Sequence, residues 1–451
     1  MERRRPSFSD LTGRLGFEYN GMVRPRHGFE SPASGRERAG ARRRARSART
    51  RRRARAALAV AVALAAFVRT TPTAHATPEN DLDPENLVSD SLPSRPAVDE
   101  DVGRRLPFAI LPQAGYGPAT GPKAGVKFEG RDLFGDALVG DVNLLVALKR
   151  QQKATVNLGH TALGPFMLFG TWAWYTDPAV EFFGLGNNAL GPDPVANYEM
   201  RRARVGFTVG YRALRKLALV LAGFYRDTNV KNGADDDTPS IQRFAPGLYG
   251  VHGAPSNYLS AALVYNSRDD LVRPTEGWEV ILKYLNADHA LFNRDTDYQK
   301  VIFDVSFIQP LVWRRQVIAL HANTEAVFGD DDEIPFFELS SLGGDDTMRG
   351  YFPQRFLGKG SMLLNAEYRL KLVDFNFRRL WDVSVDGVAF GDLGRVFADD
   401  YDFTHHPFDH VRHSYGGGLR IGLSSGLVAR IDAGFSPEHT GLVYLTFGHT
   451  F

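Results

Sequence analysis

The chain has 451 residues, no cysteine and a formal net charge of +2. The lack of cysteine excludes disulfide frameworks, thiolate metal sites and cysteine nucleophiles. The near-neutral total hides a division: Met1 to Arg55 carries 17 arginines against 5 acids, whereas the chain from Thr77 carries 36 basic and 47 acidic residues, so its main part is acidic.

Ala56 to Val68 is a run of 13 mostly Ala, Val and Leu residues, short of the roughly 20 that a spanning helix needs. It follows Arg51, Arg52, Arg53 and Arg55 and precedes Ala74-His75-Ala76. Charged flank, short apolar core and small-residue site predict a secretory signal peptide, so 1–76 reads as an Arg-rich leader with its export signal. The basic block also suits a nucleic-acid arm, but its place directly before an export signal argues against one, and no nucleic-acid partner is expected. Residues 77–105, polar and rich in Pro, Asp and Glu, read as a flexible periplasmic linker.

From residue 106 to 451 the texture is strand-like, with runs punctuated by Gly, Pro, Asp and Asn. Strands are expected at 107–116, 122–130, 138–149, 153–162, 165–175, 197–211, 215–226, 257–266, 277–287, 298–309, 315–328, 360–371, 383–393, 413–423, 427–435 and 442–451. Most are near the roughly 9–11 residues of a tilted spanning strand. The count, about sixteen, is even, which puts both chain ends on one side of a closed barrel. Connections from the fourth strand on alternate between short turns and long loops, the longest at 176–196, 227–256, 329–359 and 394–412. Parity agrees. Leu427, Ala429, Ile431, Ala433 and Phe435 oppose Val428, Arg430, Asp432 and Gly434, and Ile318, Leu320 and Phe328 oppose His321, Asn323 and Glu325. Charges on a lipid face are costly, so the polar parity must face the lumen. The fold class expected is all-β: a transmembrane antiparallel β-barrel of about 16 strands. In the last strand Val443, Leu445, Phe447 and the terminal Phe451 share a parity, which resembles the sorting signal of bacterial outer-membrane barrels.

Five ordered segments then narrow the family. Gly343-Gly344 followed by Arg349-Gly350-Tyr351 looks like an R-G-[FY] loop motif. Phe183-Gly184-Leu185-Gly186-Asn187 resembles F-x-G-x-G-N. Tyr265-Asn266-Ser267-Arg268-Asp269 with Pro274-Thr275-Glu276-Gly277 resembles Y-D-T-R-D…P-T-x-G, with Asn266 in place of the usual Asp. Phe390-Gly391-Asp392-Leu393-Gly394-Arg395-Val396 resembles F-x-D-x-G-x-V, and Tyr415 to Arg420 resembles G-x-G-L-R. Together they resemble the BamA/TamA superfamily of outer-membrane barrels, the bacterial surface antigen domain, in a barrel-only branch without periplasmic modules. The resemblance implies that the long loop folds into the lumen and that Arg349 meets Asp392, with Glu367, Asp386 and Asp432 as competing partners. It also implies a role in assembly, insertion or translocation of outer-membrane proteins or lipids through a seam between Phe108-Ala109-Ile110 and Gly441–Phe451. The partners expected are outer-membrane lipids, client outer-membrane proteins and a periplasmic accessory subunit, with both termini periplasmic. A passive pore or structural surface barrel is the rival reading.

Other constellations carry less. Gly422-Leu423-Ser424-Ser425-Gly426 fits a nucleophile elbow by letter, but no helix follows it. His405, His406, His410 and His413 share a long loop without the spacing of a metal site. The expectation is therefore no enzyme activity, no cofactor and no metal.

Overall fold

The structure, a computed structural model, describes residues 108–133, 137–187, 191–235, 237–270, 273–311, 315–377, 381–423 and 428–447. The leader, linker, Ser424 and Phe451 lie outside the described residues.

Sixteen barrel strands run in chain order: β1 (Phe108–Gly117), β2 (Gly121–Leu133), β3 (Leu138–Ala147), β4 (Gln152–Leu163), β5 (Phe166–Phe182), β6 (Ala196–Leu214), β7 (Leu217–Asn232), β8 (Tyr258–Asn266), β9 (Gly277–Ala287), β10 (Tyr298–Pro310), β11 (Gln316–Phe328), β12 (Gly360–Phe377), β13 (Trp381–Phe397), β14 (Arg412–Leu423), β15 (Val428–Phe435) and β16 (Leu442–Phe447). Each pairs antiparallel with its sequence neighbour, and β1 meets β16 to close the cylinder. Closure leaves no long strand edge unpaired in the sheet.

The outward parity carries Phe128, Leu144, Leu158, Trp172, Phe207, Leu221, Tyr225, Leu259, Trp278, Phe303 and Leu364, all exposed. So continuous an apolar band is sustained by lipid, not by water. The inward parity is largely polar on β12, where Ser361, Asn365, Glu367 and Arg369 are buried beside Leu363, and apolar on β5, β7 and β8, where Met167, Phe169, Val220 and Val264 form a buried cluster.

Six strands run at least four residues longer than expected, among them β2, which reaches Leu133. β5 continues to Phe182, β6 and β7 extend with it, β12 reaches Phe377 and β13 spans Trp381–Phe397. Asp177-Pro178 resembles a turn in sequence, but a bulge between Asp177 and Val180 absorbs it. Beyond Thr176, β5 ladders only with β6, so the N–H that proline lacks has no strand to serve. These hairpins overshoot the hydrocarbon, which a length criterion taken from bilayer thickness cannot foresee.

The long connections 183–195, 233–257, 329–359 and 398–411 gather at one rim, here the loop rim; short turns mark the opposite, turn rim. An apolar cluster caps the loop rim, built from Phe182, Leu185, Tyr198, Ile241 and Phe336 among others.

Candidate functional site

Residues 329–359 leave β11, enter the barrel and return to β12. A short 3-10 turn, Phe336–Glu338, anchors the descent. Glu338 accepts from Arg226 Nη2 at 2.6 Å, from the Tyr298 hydroxyl at 3.0 Å and from Ser256 Oγ at 3.1 Å. Burial pushes its carboxyl up, but Arg226 and Arg202 outweigh burial and hold it below the ordinary range. Ser340–Leu342 then pairs with Phe356–Gly358 as a small ribbon that carries the tip. The tip closes on itself: the Gly343 N–H donates to Thr347 Oγ1 at 2.8 Å, and the Gly344 N–H to the Tyr351 carbonyl at 3.1 Å.

Arg349 sits at the bottom of this tip and is fully buried. Its Nε donates to Asp392 Oδ2 at 3.0 Å and its Nη2 to Asp392 Oδ1 at 2.7 Å, a two-pronged pairing with β13. Its own backbone N–H adds a third bond to Asp392 at 3.1 Å. Nη1 reaches Glu367 of β12 at 2.5 Å and lies 3.8 Å from Asp432 of β15. The guanidinium lies over the Phe390 ring, 3.5 Å from its centroid. Burial alone would lower its pKa; Asp392 and Glu367 reverse that and keep it charged.

Three further arginines complete the cluster. Arg420 of β14 donates to Asp432 at 2.6 Å and to Glu367 at 3.1 Å. Arg369 donates to Glu367 at 2.8 Å. Arg430 of β15 bonds Thr446 Oγ1 of β16 at 2.7 Å and holds Asp345 of the tip at 3.1 Å and Asp346 at 3.4 Å. The Gly350 N–H donates to the Tyr444 hydroxyl at 3.0 Å, and that hydroxyl donates to the Tyr351 carbonyl at 3.0 Å. One loop tip is thereby tied to five successive strands, β12 to β16. The interlocked charges anchor the loop tip to the barrel wall.

Asp386, the other acid considered for Arg349, is engaged elsewhere. Arg273 of the 267–276 connection reaches it at 3.2 Å, so that connection folds inward across the turn rim. Asp386 lies six residues along β13 from Asp392, three inward positions nearer the turn rim, and the tip does not descend that far. Arg268, also buried, pairs with Glu279 at 2.5 Å. Asp269 closes the same connection by accepting from Thr275 N at 2.8 Å and Glu276 N at 3.1 Å, after Pro274 and before Gly277. Gly184, Gly186 and Asn187 lie at the loop rim, where the Gly186 N–H donates to the Leu357 carbonyl at 2.6 Å and Arg412 donates to the Asn187 carbonyl at 2.8 Å. Gly394 leaves the space taken by Met348.

Sequence reasoning did not connect Arg420, Arg430 or Tyr444 to the loop. Their inward parity was visible; their distance to residues some 70 to 95 positions earlier was not. Arg355, buried and bonded to Glu438 at 2.6 and 2.9 Å, gave no sequence signal.

Residues 181–451 match the Omp85 superfamily domain. In fold the chain is similar to BamA from Haemophilus ducreyi lacking POTRA domains 1–3, at 15% identity and TM-score 0.54, covering 79% of this chain and 74% of that one. It is also similar to CdiB from Escherichia coli, at 14% identity and TM-score 0.53, covering 79% and 67%. Identities this low speak for the fold alone. No curated protein matches the chain by sequence. The domain match takes in more than half of the chain, including the loop with Arg349 and every strand that holds it, and the chain belongs to the Omp85 superfamily of outer-membrane β-barrels.

Proposed function

We propose that this barrel assists the assembly, insertion or translocation of outer-membrane proteins or lipids by parting between β1 and β16, while the 329–359 loop keeps the lumen shut. The observation that carries the reading is the thinness of that junction. Of the six described residues of β16, one is registered with β1, Leu445 with Tyr116, whereas all six are registered with β15. β1 also contains Pro112, which has no N–H to give, as residues of an edge strand can. A parted seam would expose unpaired backbone groups that template an incoming strand.

On this reading the short-turn rim, where β1 begins and β16 ends, faces the periplasm. The partners are outer-membrane lipids, client barrel proteins and a periplasmic accessory subunit. The work is mechanical and uses no cofactor.

The chain has no cysteine, so a single engineered pair, Tyr116→Cys with Leu445→Cys, gives a clean lock across directly opposed Cα partners. The assay is folding of an unfolded outer-membrane barrel into liposomes. Acceleration by the reduced protein that disappears on oxidation and returns on reduction supports lateral opening. No acceleration over empty liposomes, or equal rates for locked and unlocked protein, contradicts it.

A further inference from the structure

A polar hoop crosses the inner wall at one level. Register sets Asn266 of β8 opposite Glu279 of β9, and then in turn Ser306, His321, Asn365 and Asp392 on β10 to β13. It joins the Arg268–Glu279 pair at one end to the Arg349–Asp392 pair at the other, with a histidine in the middle.

The acceptors around that histidine fix where its protons lie. Asn365 Nδ2 donates to Asp392 Oδ1 at 2.8 Å and to the Thr347 carbonyl at 2.7 Å. Neither is a donor here: a carbonyl carries no proton, and the Asp392 carboxyl oxygens already accept from Arg349 Nε, Nη2 and backbone N–H. The Asn365 amide is thereby oriented, and its oxygen, an acceptor, faces His321 Nδ1 at 2.9 Å. On the other side Asp304 Oδ2 lies 2.8 Å from His321 Nε2 and also accepts from Asn323 at 2.9 Å. Both ring nitrogens therefore face acceptors. A neutral imidazole has one N–H, so it would set a lone pair against a lone pair on one side.

We propose that His321 is doubly protonated and acts as a positioning residue, an imidazolium cross-tie that orients Asn365 and, through it, seats the Thr347–Arg349 tip on β13. The proposal rests on the reading of 329–359 as a plug and is independent of lateral opening. The charged groups about the ring are Asp304 on β10 and Glu279 on β9, with Arg268 opposing Asp304. Beyond Asn365 lie Asp392 and Arg349, and Glu367 on the same strand is engaged by Arg349, Arg369 and Arg420. Removing the ring proton converts a donor into a lone pair that faces an acceptor, so the tie holds at lower pH and is lost as pH rises.

Nitrogen-15 histidine NMR of the folded barrel in nanodiscs tests the protonation state, with His321→Gln assigning the signal and Asp304→Asn as a second assignment should His321→Gln not fold. The expected result is that, at neutral pH, both ring nitrogens resonate as protonated and Asp304→Asn loses that signature. A neutral, single-tautomer pattern in the wild type overturns the proposal. Hydrogen exchange of the 343–351 amides, corrected for intrinsic rates, tests the positioning role. Protection should fall when the ring deprotonates, and that step should be missing in His321→Gln or Asp304→Asn. A cationic ring with no such step overturns the positioning role. Neither readout depends on whether the seam opens, so a failed cysteine-lock experiment leaves both decisive.

Discussion

The backbone of Gly350 presses on that of Gly434: a Cβ on Gly434 would lie 2.5 Å from the Gly350 nitrogen. Gly350 itself holds a φ of +94°, and a Cβ there would lie within 3.0 Å of the Phe435 backbone. The loop tip thus reaches the wall through two residues without side chains, and this close seating lets Arg349 reach three strands at once. Gly434→Ala should cost about 1–3 kcal/mol by overpacking. Gly350→Ala should cost a further ~1–2 kcal/mol from the left-handed backbone alone. The loss should appear as a lower unfolding midpoint in guanidinium, followed by gel mobility of the folded barrel.

Arg349→Ala should cost about 3–5 kcal/mol, because Glu367 and Asp392 are left buried and under-compensated. Arg349→Lys should fall between wild type and alanine, since it keeps the charge but gives up the two-pronged contact. Combining Arg349→Ala with Asp392→Asn should recover part of the loss, and a double-mutant cycle on the same unfolding assay measures the coupling. Strict additivity would mean that the pair does not interact in solution.

Asp346 gives the loop a pH dependence. Burial and the neighbouring Asp345 raise its carboxyl to about 7, against the pull of Arg430 and Lys123. An acid whose folded pKa is raised above an unfolded value of about 4 holds its proton better when folded. Its stabilising contribution is therefore complete below about pH 4 and is lost as pH climbs through the folded value. Asp346→Asn should remove that loss, so its stability advantage over wild type should grow from acidic to neutral pH. Parallel profiles for the two proteins would contradict this.

The barrel was legible in the sequence because lipid and lumen impose opposite demands on alternate residues. β14 to β16 show it plainly, with Leu419, Ile431 and Val443 outside and Arg420, Arg430 and Tyr444 inside. Where strands leave the hydrocarbon that contrast fades, so the extensions of β5 to β7 did not register. The pairing of Arg349 with Asp392, 43 residues apart, entered through motif resemblance, not spacing. The hoop through His321 was out of reach altogether. It needs the register of five consecutive hairpins at once, and a slip of one residue in any of them would turn a member to the lipid face.

Planar-bilayer conductance of the purified barrel, compared with a variant lacking Gly343 to Tyr351, tests the plugged lumen most directly. The wild type should conduct little and the deletion should open large, steady currents. Large steady currents in the wild type would contradict a lumen closed by the Arg349 loop.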